Sequence, residues 1–409
     1  MKIAVNAPRS GANTARLSPK TLKSVGWVEE RRPEGACRRL TQHLAGFVGF
    51  RRASTQPTIF LNRAVLLWFL PSSAATHYMS IKNSPTITYS PAYTIVPTYE
   101  CFNRCTYCNF RTDPGKSPWM TLSAAESIFN QLQNQNICEI LILSGEVHPH
   151  SPKRLEWFER IYDLCQLALT MGFLPHTNAG PLSFAEMQKL KNVNVSMGLM
   201  LEQLTPTLLN TVHRHAPSKI PEVRLQQLAW AGELQIPFTT GLLLGIGETE
   251  DDWWETLQAI SHIHQRYHHI QEVILQPHSP GLQQTFDAPP FNPHQLPEVI
   301  AKARQILPPD ITIQIPPNLV KDDQWLLACI AAGATDLGGI GPKDEVNPDY
   351  PHLQEQALRE ILQPAGWELV PRLPVYPQFD HWLTGELQTA VKRWRFSRYG
   401  NVISEAEPQ

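Results

Sequence analysis

The sequence lacks any apolar run long enough to cross a membrane. The longest unbroken run, AVLLWFL at residues 64–70, is far shorter than the roughly 20 residues that a transmembrane helix needs. A chain of 409 residues, 42% hydrophobic and 18% charged, is instead typical of a soluble globular protein that can bury a full core. We therefore expect no membrane partner.

Cysteine is scarce and irregularly placed. The chain has seven cysteines, an odd number, and three of them fall between residues 101 and 108, too close together to pair sensibly with the rest. This pattern argues against a disulfide framework. It is typical of a protein of the reducing cytoplasm.

Acidic residues are scarce in the first part of the chain. Residues 1–78 contain 12 Lys and Arg but 3 Asp and Glu, whereas residues 79–409 contain 23 and 34. We predict that residues 1–78 form a disordered basic extension or are translated in error ahead of Met79. The extension also has the short apolar stretch of a weak export signal. It lacks the interleaved aromatic residues of a nucleic-acid-binding segment, so no nucleic-acid partner is expected.

From residue 90 onward, short runs rich in Val, Ile and Leu alternate with segments of helical periodicity. Ser123 with Glu126 and Ser183 with Glu186 have capping-box spacing, and Pro221 suits the first turn of a helix. Eight such units predict an α/β fold, a (β/α)8 barrel that is closed or partly open, with a C-terminal extension. A doubly wound sheet is the second choice because no GxGxxG loop follows the first strand. The predicted strands are residues 93–98, 139–144, 173–178, 193–199, 238–245, 272–277, 311–316 and 334–339.

Several polar motifs follow the predicted strands. Barrel enzymes form their sites from loops at the carboxyl ends of the strands, so motifs in those loops should meet. We therefore predict a site at that end. The motifs there are the three cysteines after the first strand, Ser144-Gly145-Glu146 after the second, His176-Thr177-Asn178 after the third and GLLLGIGE (241–248) after the fifth.

The cysteine spacing is Cys101-x3-Cys105-x2-Cys108. A structural zinc site needs four ligands, commonly two separated pairs, and the sequence has no second pair. Three cysteines on a [4Fe-4S] cluster leave one iron open to a substrate or cofactor. We therefore predict one such cluster. The scattered cysteines, interpreted as ordinary thiols, are Cys37, Cys138, Cys165 and Cys329.

This spacing, with Tyr107 before the last cysteine, resembles the signature of the radical S-adenosylmethionine (SAM) superfamily. The resemblance implies that SAM binds the open iron and is cleaved reductively to a 5'-deoxyadenosyl radical. SGE replaces a Gly-Gly-Glu-like stretch that holds the SAM amino group, and GLLLGIGE matches GxIxGxxE except for one Leu. The implied SAM-binding residues are Tyr107, Ser144, Gly145, Glu146, Gly241, Gly245 and Glu248.

Longer stretches, including CTYCNFRTDPG and LPHTNAGPLS, resemble the cyclising subunit of 7,8-didemethyl-8-hydroxy-5-deazariboflavin synthase over about residues 90–380. Phe102 and QPHSPGLQQT depart from that pattern. The resemblance implies a lyase. A hydroxybenzyl-transferring radical SAM partner joins tyrosine's hydroxybenzyl group to 5-amino-6-(D-ribitylamino)uracil, and this subunit closes the third ring with loss of ammonia. It also implies an electron donor such as flavodoxin or ferredoxin.

The implied substrate is neutral and rich in hydroxyl and amide groups, so its pocket should offer hydrogen bonds rather than strong charge. His176 is the predicted proton acceptor because imidazole titrates near neutral pH. The alternative is that a polar residue at a strand end only fixes its loop. The predicted substrate-binding residues are Thr177, Asn178, Glu202, His213 and Arg214.

Two rival classes of function fit the cysteine motif. One is another radical SAM enzyme, such as the hydroxybenzyl-transferring partner or a biotin- or menaquinone-pathway relative. The other is a non-catalytic iron-sulfur or zinc protein. The histidine-rich stretch HIHQRYHHI, residues 262–270, is interpreted as a solvated helix end, because its spacing places at most two histidines on one helical face.

Overall fold

Eight parallel strands form a closed barrel in the structure, a computed structural model that describes residues 85–320 and 322–398. The ring closes because the first strand pairs with both the second and the eighth. The (β/α)8 prediction is therefore confirmed in its closed form. The strands of the ring are β1 (Thr86–Ile95), β2 (Glu139–Leu143), β3 (Leu174–Asn178), β4 (Ser196–Gly198), β5 (Phe238–Leu244), β6 (Ile270–Pro277), β7 (Thr312–Gln314) and β8 (Asp336–Ile340). A ninth strand, β9 (Glu368–Pro371), pairs with β1.

Helices follow the strands and cover the barrel, with Trp157, Phe129 and Phe238 among the largest fully buried side chains. Within the described residues no helix is long and apolar enough to cross a membrane. The predicted extension over residues 1–78 lies outside them. The α-helices are α1 (Leu122–Leu132), α2 (Arg154–Thr170), α3 (Phe184–Leu190), α4 (Pro221–Glu233), α5 (Glu250–Tyr267), α6 (Leu296–Ile306), α7 (Asp323–Ala331), α8 (Glu355–Leu362) and α9 (Gly385–Arg398).

Two of the three predicted helix starts are confirmed. Ser183 and Glu186 form a full capping box at α3, and Pro221 is the first residue of α4. The prediction for Ser123 is wrong because Thr121 caps α1, its hydroxyl accepting a hydrogen bond from the Ala124 N–H at 3.2 Å. An N-cap side chain reaches the N–H two or three residues ahead, and Thr121 is the residue with extended backbone at that distance.

A C-terminal segment covers the amino end of the barrel. β9 pairs with the first residues of β1, and the chain then crosses beneath the ring. Pro374 accepts hydrogen bonds from the side chains of Ser196 and Gln271, while Leu373 and Val375 pack near the starts of β3 and β4. With the amino end covered, the site is to be sought at the carboxyl ends of the strands.

A group of four charged residues, here called the floor cluster, lies inside the amino end. It consists of Glu139, Glu272, Asp336 and Arg372. Arg372 donates to both oxygens of Asp336, at 2.6 and 2.8 Å, and also forms an ion pair with Glu272. One guanidinium therefore faces three buried carboxyl groups. Burial raises the pKa of Glu272 to about 7 although Arg372 opposes the shift, and Asp336 adds to it.

We expect Glu272→Gln to flatten the pH dependence of stability. Because the folded-state pKa is raised, the contribution of Glu272 is fully present below the unfolded-state pKa of about 4.3 and is lost as pH rises to about 7. The unfolding free energy of the wild type should fall by on the order of 3 kcal/mol between these two pH values, and Glu272→Gln should remove that fall. Urea unfolding between pH 4.5 and 8 measures it, with the exposed Glu255→Gln as control. An unchanged slope in Glu272→Gln would contradict the assignment.

Candidate functional site

The loop between β1 and α1, residues 96–121, is called the cysteine loop and is tied by its backbone to two other loops. The N–H groups of Arg104 and Thr106 donate to the carbonyls of His215 and Val212, at 2.7 and 3.1 Å. The Thr106 carbonyl accepts from Thr285, at 2.8 Å. These bonds fix the loop between the segments that follow β4 and β6.

All three cysteines of this loop are unpaired and half-buried. Burial raises the pKa of Cys101 to about 11 and that of Cys105 to about 12, and in both cases the nearby Cys108 adds to the shift. Lys219 opposes the shift at Cys105. Thiols whose ionisation is opposed by burial and by neighbouring thiols need a bound cation to become thiolate ligands.

This donor set fits a [4Fe-4S] cluster, in which three protein thiolates would leave one iron open. The other three cysteines within the described residues are buried elsewhere: Cys138 at the amino end of the barrel, Cys165 against Thr177, and Cys329 in α7. None of them supplies the fourth sulfur of a four-cysteine zinc site.

Glu146 lies beside the first cysteine. Its carboxylate accepts a hydrogen bond from the Asn103 amide at 2.9 Å and pairs with Arg224 at 3.3 Å. Gly145 brings the chain this close, because a Cβ there would overlap the carbonyl oxygen of Glu100. The Ser144 hydroxyl bonds instead to the Gly145 carbonyl and the Trp157 indole. Of this motif, Glu146 therefore has the side chain nearest the cysteines.

Glu202 and His213 lie against the cysteine loop rather than in the barrel. Glu202 forms a buried ion pair with Lys219, and burial alone would raise its pKa, but Lys219 and Arg224 outweigh burial and lower it. His213 bonds to the Tyr107 hydroxyl at 3.0 Å, and its pKa falls to about 3 through burial and then the charge of Lys219. These contacts argue against direct substrate binding.

The loop after β5 is shaped by Glu248. Its carboxylate accepts from the N–H groups of Gly245 and Ile246, at 2.6 and 2.8 Å, and from the Trp253 indole at 2.7 Å. Gly245 has φ +91°, a conformation that favours glycine. At Gly241 a Cβ would overlap the backbone of Ile274. The glycines of the motif therefore allow close packing against neighbouring residues, while the Glu248 side chain holds the loop.

A cavity of about 180 Å³ occupies the barrel interior. Its walls include His176 and Asn178, and its mouth is lined by residues 343–347 of the loop after β8. That loop joins the cysteine loop, because Asp349 accepts hydrogen bonds from the Asn109 side chain and the Leu282 N–H, both at 2.8 Å. The loop after β8 thus lines the mouth of the cavity and also contacts the cysteine loop.

The third-strand motif divides between two faces. His176 and Asn178 face the cavity, whereas the Thr177 hydroxyl is buried behind the strand and donates to Asn194 at 2.7 Å. Neighbouring residues of a strand point to opposite faces, so Thr177 is not placed to bind substrate. Arg214 is exposed on the surface loop after β4 and does not line the cavity.

The reason given for choosing His176 as a base is corrected by its surroundings. Burial, reinforced by Arg372, lowers the pKa of His176 to about 3. The imidazole is therefore neutral throughout the physiological range and does not titrate near pH 7. It can still accept a hydrogen bond.

A second group of possible ligands lies at the carboxyl end of α5, where His264, His268 and Asp310 approach one another. His264 is buried, so the prediction of a fully solvated helix end is wrong for this residue. Its Nδ1 accepts from the Ile270 N–H at 3.1 Å, so the proton lies on Nε2 and is donated to Asp310 at 3.0 Å. Metal binding at Nε2 would break this pattern, so the geometry favours a hydrogen-bonded helix end.

The comparisons with known proteins agree with this geometry. The family model described as "Radical SAM superfamily" matches residues 95–260. The protein from Trichormus variabilis named 7,8-didemethyl-8-hydroxy-5-deazariboflavin synthase is 84% identical over 314 residues, covering 77% of this chain and 92% of the relative. This chain belongs to the 7,8-didemethyl-8-hydroxy-5-deazariboflavin synthase family.

A synthase of the same name from a Nostoc species is 85% identical over 308 residues, covering 75% of this chain and 91% of that protein. Among solved structures, HydG, a maturase of the [FeFe]-hydrogenase, matches with a TM-score of 0.60 at 15% identity. The match covers 76% of this chain and 70% of HydG. That likeness concerns the fold alone. Membership of the radical SAM superfamily implies a [4Fe-4S] cluster and SAM, for which Cys101, Cys105 and Cys108 are the fitting ligands.

Several residues of this family member's site were missed by the sequence analysis. Asn103, Lys219 and Arg224 meet at the cysteine loop only because the segments after β1 and β4 fold together. Gln276 and Gln314 line the cavity. Gln314 could have been found, because it lies two residues before Pro316, another inward-facing position of a predicted strand. Gln276 begins the stretch QPHSPGLQQT, which the sequence analysis named only as a departure from the family pattern.

Proposed function

We propose that this chain is a radical SAM carbon-nitrogen lyase that forms 7,8-didemethyl-8-hydroxy-5-deazariboflavin. Its substrate would be 5-amino-5-(4-hydroxybenzyl)-6-(D-ribitylimino)-5,6-dihydrouracil, with release of ammonia on ring closure. The observation that carries the proposal is the identity of 84–85% to proteins named as this synthase. Three free cysteines support it, together with a barrel cavity whose walls include the polar side chains of His176, Asn178, Gln276 and Gln314.

In this proposal Cys101, Cys105 and Cys108 hold the cluster. When bound, the cluster and SAM supply a 5'-deoxyadenosyl radical that abstracts a hydrogen atom from the substrate. Glu146 would accept hydrogen bonds from the SAM amino group, and the orientation of its carboxylate by Asn103 and Arg224 supports this role. The backbone of Tyr107, Gly145, Gly241 and Gly245 would face the remainder of SAM.

The loop after β8 would exclude water from the reacting groups. Tyr99 of the cysteine loop donates to Glu345 of this loop at 2.8 Å, and Tyr350 donates to the Pro280 carbonyl at 2.8 Å. These bonds join three loops over the entrance. A covered site protects a radical from side reactions with solvent.

The proposed reaction requires two partners, an enzyme that supplies the substrate and a donor that supplies an electron. The substrate contains a tyrosine-derived hydroxybenzyl group, so a hydroxybenzyl-transferring radical SAM partner must supply it. Reductive cleavage of SAM also requires one electron, for which flavodoxin or ferredoxin is the proposed donor. A hydroxyl-rich neutral substrate suits a cavity walled by amide groups.

The test is anaerobic reconstitution with iron and sulfide, then incubation with SAM, dithionite and the hydroxybenzyl adduct. We expect both 5'-deoxyadenosine and deazaflavin fluorescence. Deoxyadenosine without the fluorescent product would move the chain to another radical SAM reaction. Protein that holds a full cluster yet gives neither product would refute the enzyme assignment. Omitting SAM is the control, since it should abolish both signals.

A further inference from the structure

Three carboxamides and one imidazole point into the barrel cavity from three strands, β3, β6 and β7. They belong to Asn178, Gln276, Gln314 and His176. Among the described residues, none of the three amide side chains has a hydrogen-bond partner, although each is partly shielded from solvent. Amides that face a cavity and make no bond to the protein are free to bind solvent or a ligand that enters it.

The backbone leaves space for one of these amides. Gln314 is the last residue of β7, and its amide occupies the place where a side chain on Gly338 would lie. Gly338 itself has φ +76°, which disfavours other residues. The glycine therefore allows the Gln314 amide to turn into the barrel beside β8.

The hydrogen-bond chain behind His176 fixes its tautomer. The Ser196 hydroxyl donates its one proton to the Pro374 carbonyl at 2.6 Å, so its oxygen accepts from His176 Nδ1 at 2.7 Å. Nδ1 therefore carries the ring proton. His176 Nε2 is left as a lone-pair acceptor beside Gly198, on the cavity side. The wall thus offers one fixed acceptor and three amides that both donate and accept.

The charged floor cluster does not compete for the same occupant. Both oxygens of Glu272 are engaged, by Thr239 at 2.9 Å and Tyr376 at 3.1 Å, and Arg372 is shared between Glu272 and Asp336. Between this floor and the charged mouth, the side walls offer the neutral hydrogen-bonding groups of His176, Asn178, Gln276 and Gln314. The volume, about 180 Å³, is many times the roughly 10–15 Å³ that one buried water needs, so the cavity is large enough for a short chain of hydroxylated carbons.

We propose that the barrel interior binds the ribityl chain of the substrate, with the ring system held at the mouth beside the cysteine loop. The inference rests on the proposed function for the identity of the substrate. A polyol offers a donor and an acceptor on each carbon, matching the amides and His176 Nε2. The reverse orientation would bury the hydroxybenzyl ring against these groups and leave them unpaired, which is unfavourable.

The test compares the binding of two ligands to the wild-type protein and to a variant. The fluorescent deazaflavin product and an analogue with methyl in place of ribityl are titrated into cluster-loaded protein, and dissociation constants are read from fluorescence. Wild type should bind the ribityl form at least about tenfold more tightly. Gln314→Leu should weaken the ribityl form about three- to tenfold and change the methyl form less than twofold.

Gln276→Leu gives a second, independent variant, and the exposed Gln324→Leu is the matched control. An equal loss of affinity for both ligands, or no loss of affinity for either, would overturn the inference. Turnover is measured on the same preparation. If product forms but the protein does not prefer the ribityl ligand to the methyl ligand, only the inference is refuted. If the protein prefers the ribityl ligand but forms no product, the inference is supported and the proposed reaction is refuted.

Discussion

Replacing Cys105 by alanine is expected to abolish both iron binding and turnover. A [4Fe-4S] cluster held by three protein thiolates cannot lose one and keep its coordination, and no fourth cysteine of the described residues lies near enough to replace it. Iron should fall from about four ions per chain to near zero, and deoxyadenosine formation to background. Iron and sulfide analysis, visible absorbance and product assays measure the result.

The matched control is Cys329→Ala, which also removes one thiol but from the packed core of α7. It should keep its iron and its activity and lose about 1–2 kcal/mol of unfolding free energy. Cys105→Ala should remain folded, because the barrel core lies elsewhere. A Cys105→Ala protein that retains cluster and product formation would show that the cysteine loop is not the cluster site.

The barrel could be predicted because its strands carry their signal locally. Runs such as EILILS and FTTGLLLG are continuous and apolar, as strands buried on both faces should be. The signal failed at β1, which begins at Thr86 and not at residue 93. Pro91 interrupts the run, and proline usually argues against a central strand. Here its carbonyl still accepts from the Cys138 N–H.

The residues of the candidate site were predictable where a short motif contains them. They were not predictable where only long-range folding brings them together. The cysteine loop and Glu146 follow from short motifs. Glu202, however, has φ +66°, and this backbone turn directs it toward Lys219 rather than the cavity. Thr177 lies on the opposite face of β3 from His176 and Asn178, and the alternation of faces along a strand could have divided the motif HTN in this way from the sequence.

β9 and Arg372 could not be inferred from local pattern. β9 has four residues, and the pairing of Arg372 with Asp336 joins positions far apart in sequence. A charged residue after a short apolar run is usually solvated. Only the closure of the barrel places this guanidinium among three carboxyl groups.

Arg372→Met is therefore expected to destabilise the protein strongly at neutral pH. The substitution keeps an apolar stem but leaves Glu139, Glu272 and Asp336 buried without their cation. Removing one partner of a buried ion pair costs about 3–5 kcal/mol. The deficit should shrink as pH falls, because protonation of the unpaired carboxyl groups removes their charge in the folded state. Urea unfolding of variant and wild type at pH 5 and pH 7.5 measures both effects.

Arg395→Met is the matched control, since Arg395 makes the same two-pronged pair with a single carboxylate. It donates to Asp380 at 2.6 and 2.7 Å, but the Asp380 side chain is 31% exposed whereas that of Asp336 is fully buried. Water can solvate Asp380 once its partner is lost, so the cost should stay near about 1 kcal/mol. Equal losses in the two variants, or a deficit at Arg372 that does not depend on pH, would show that the floor is held by packing and not by charge.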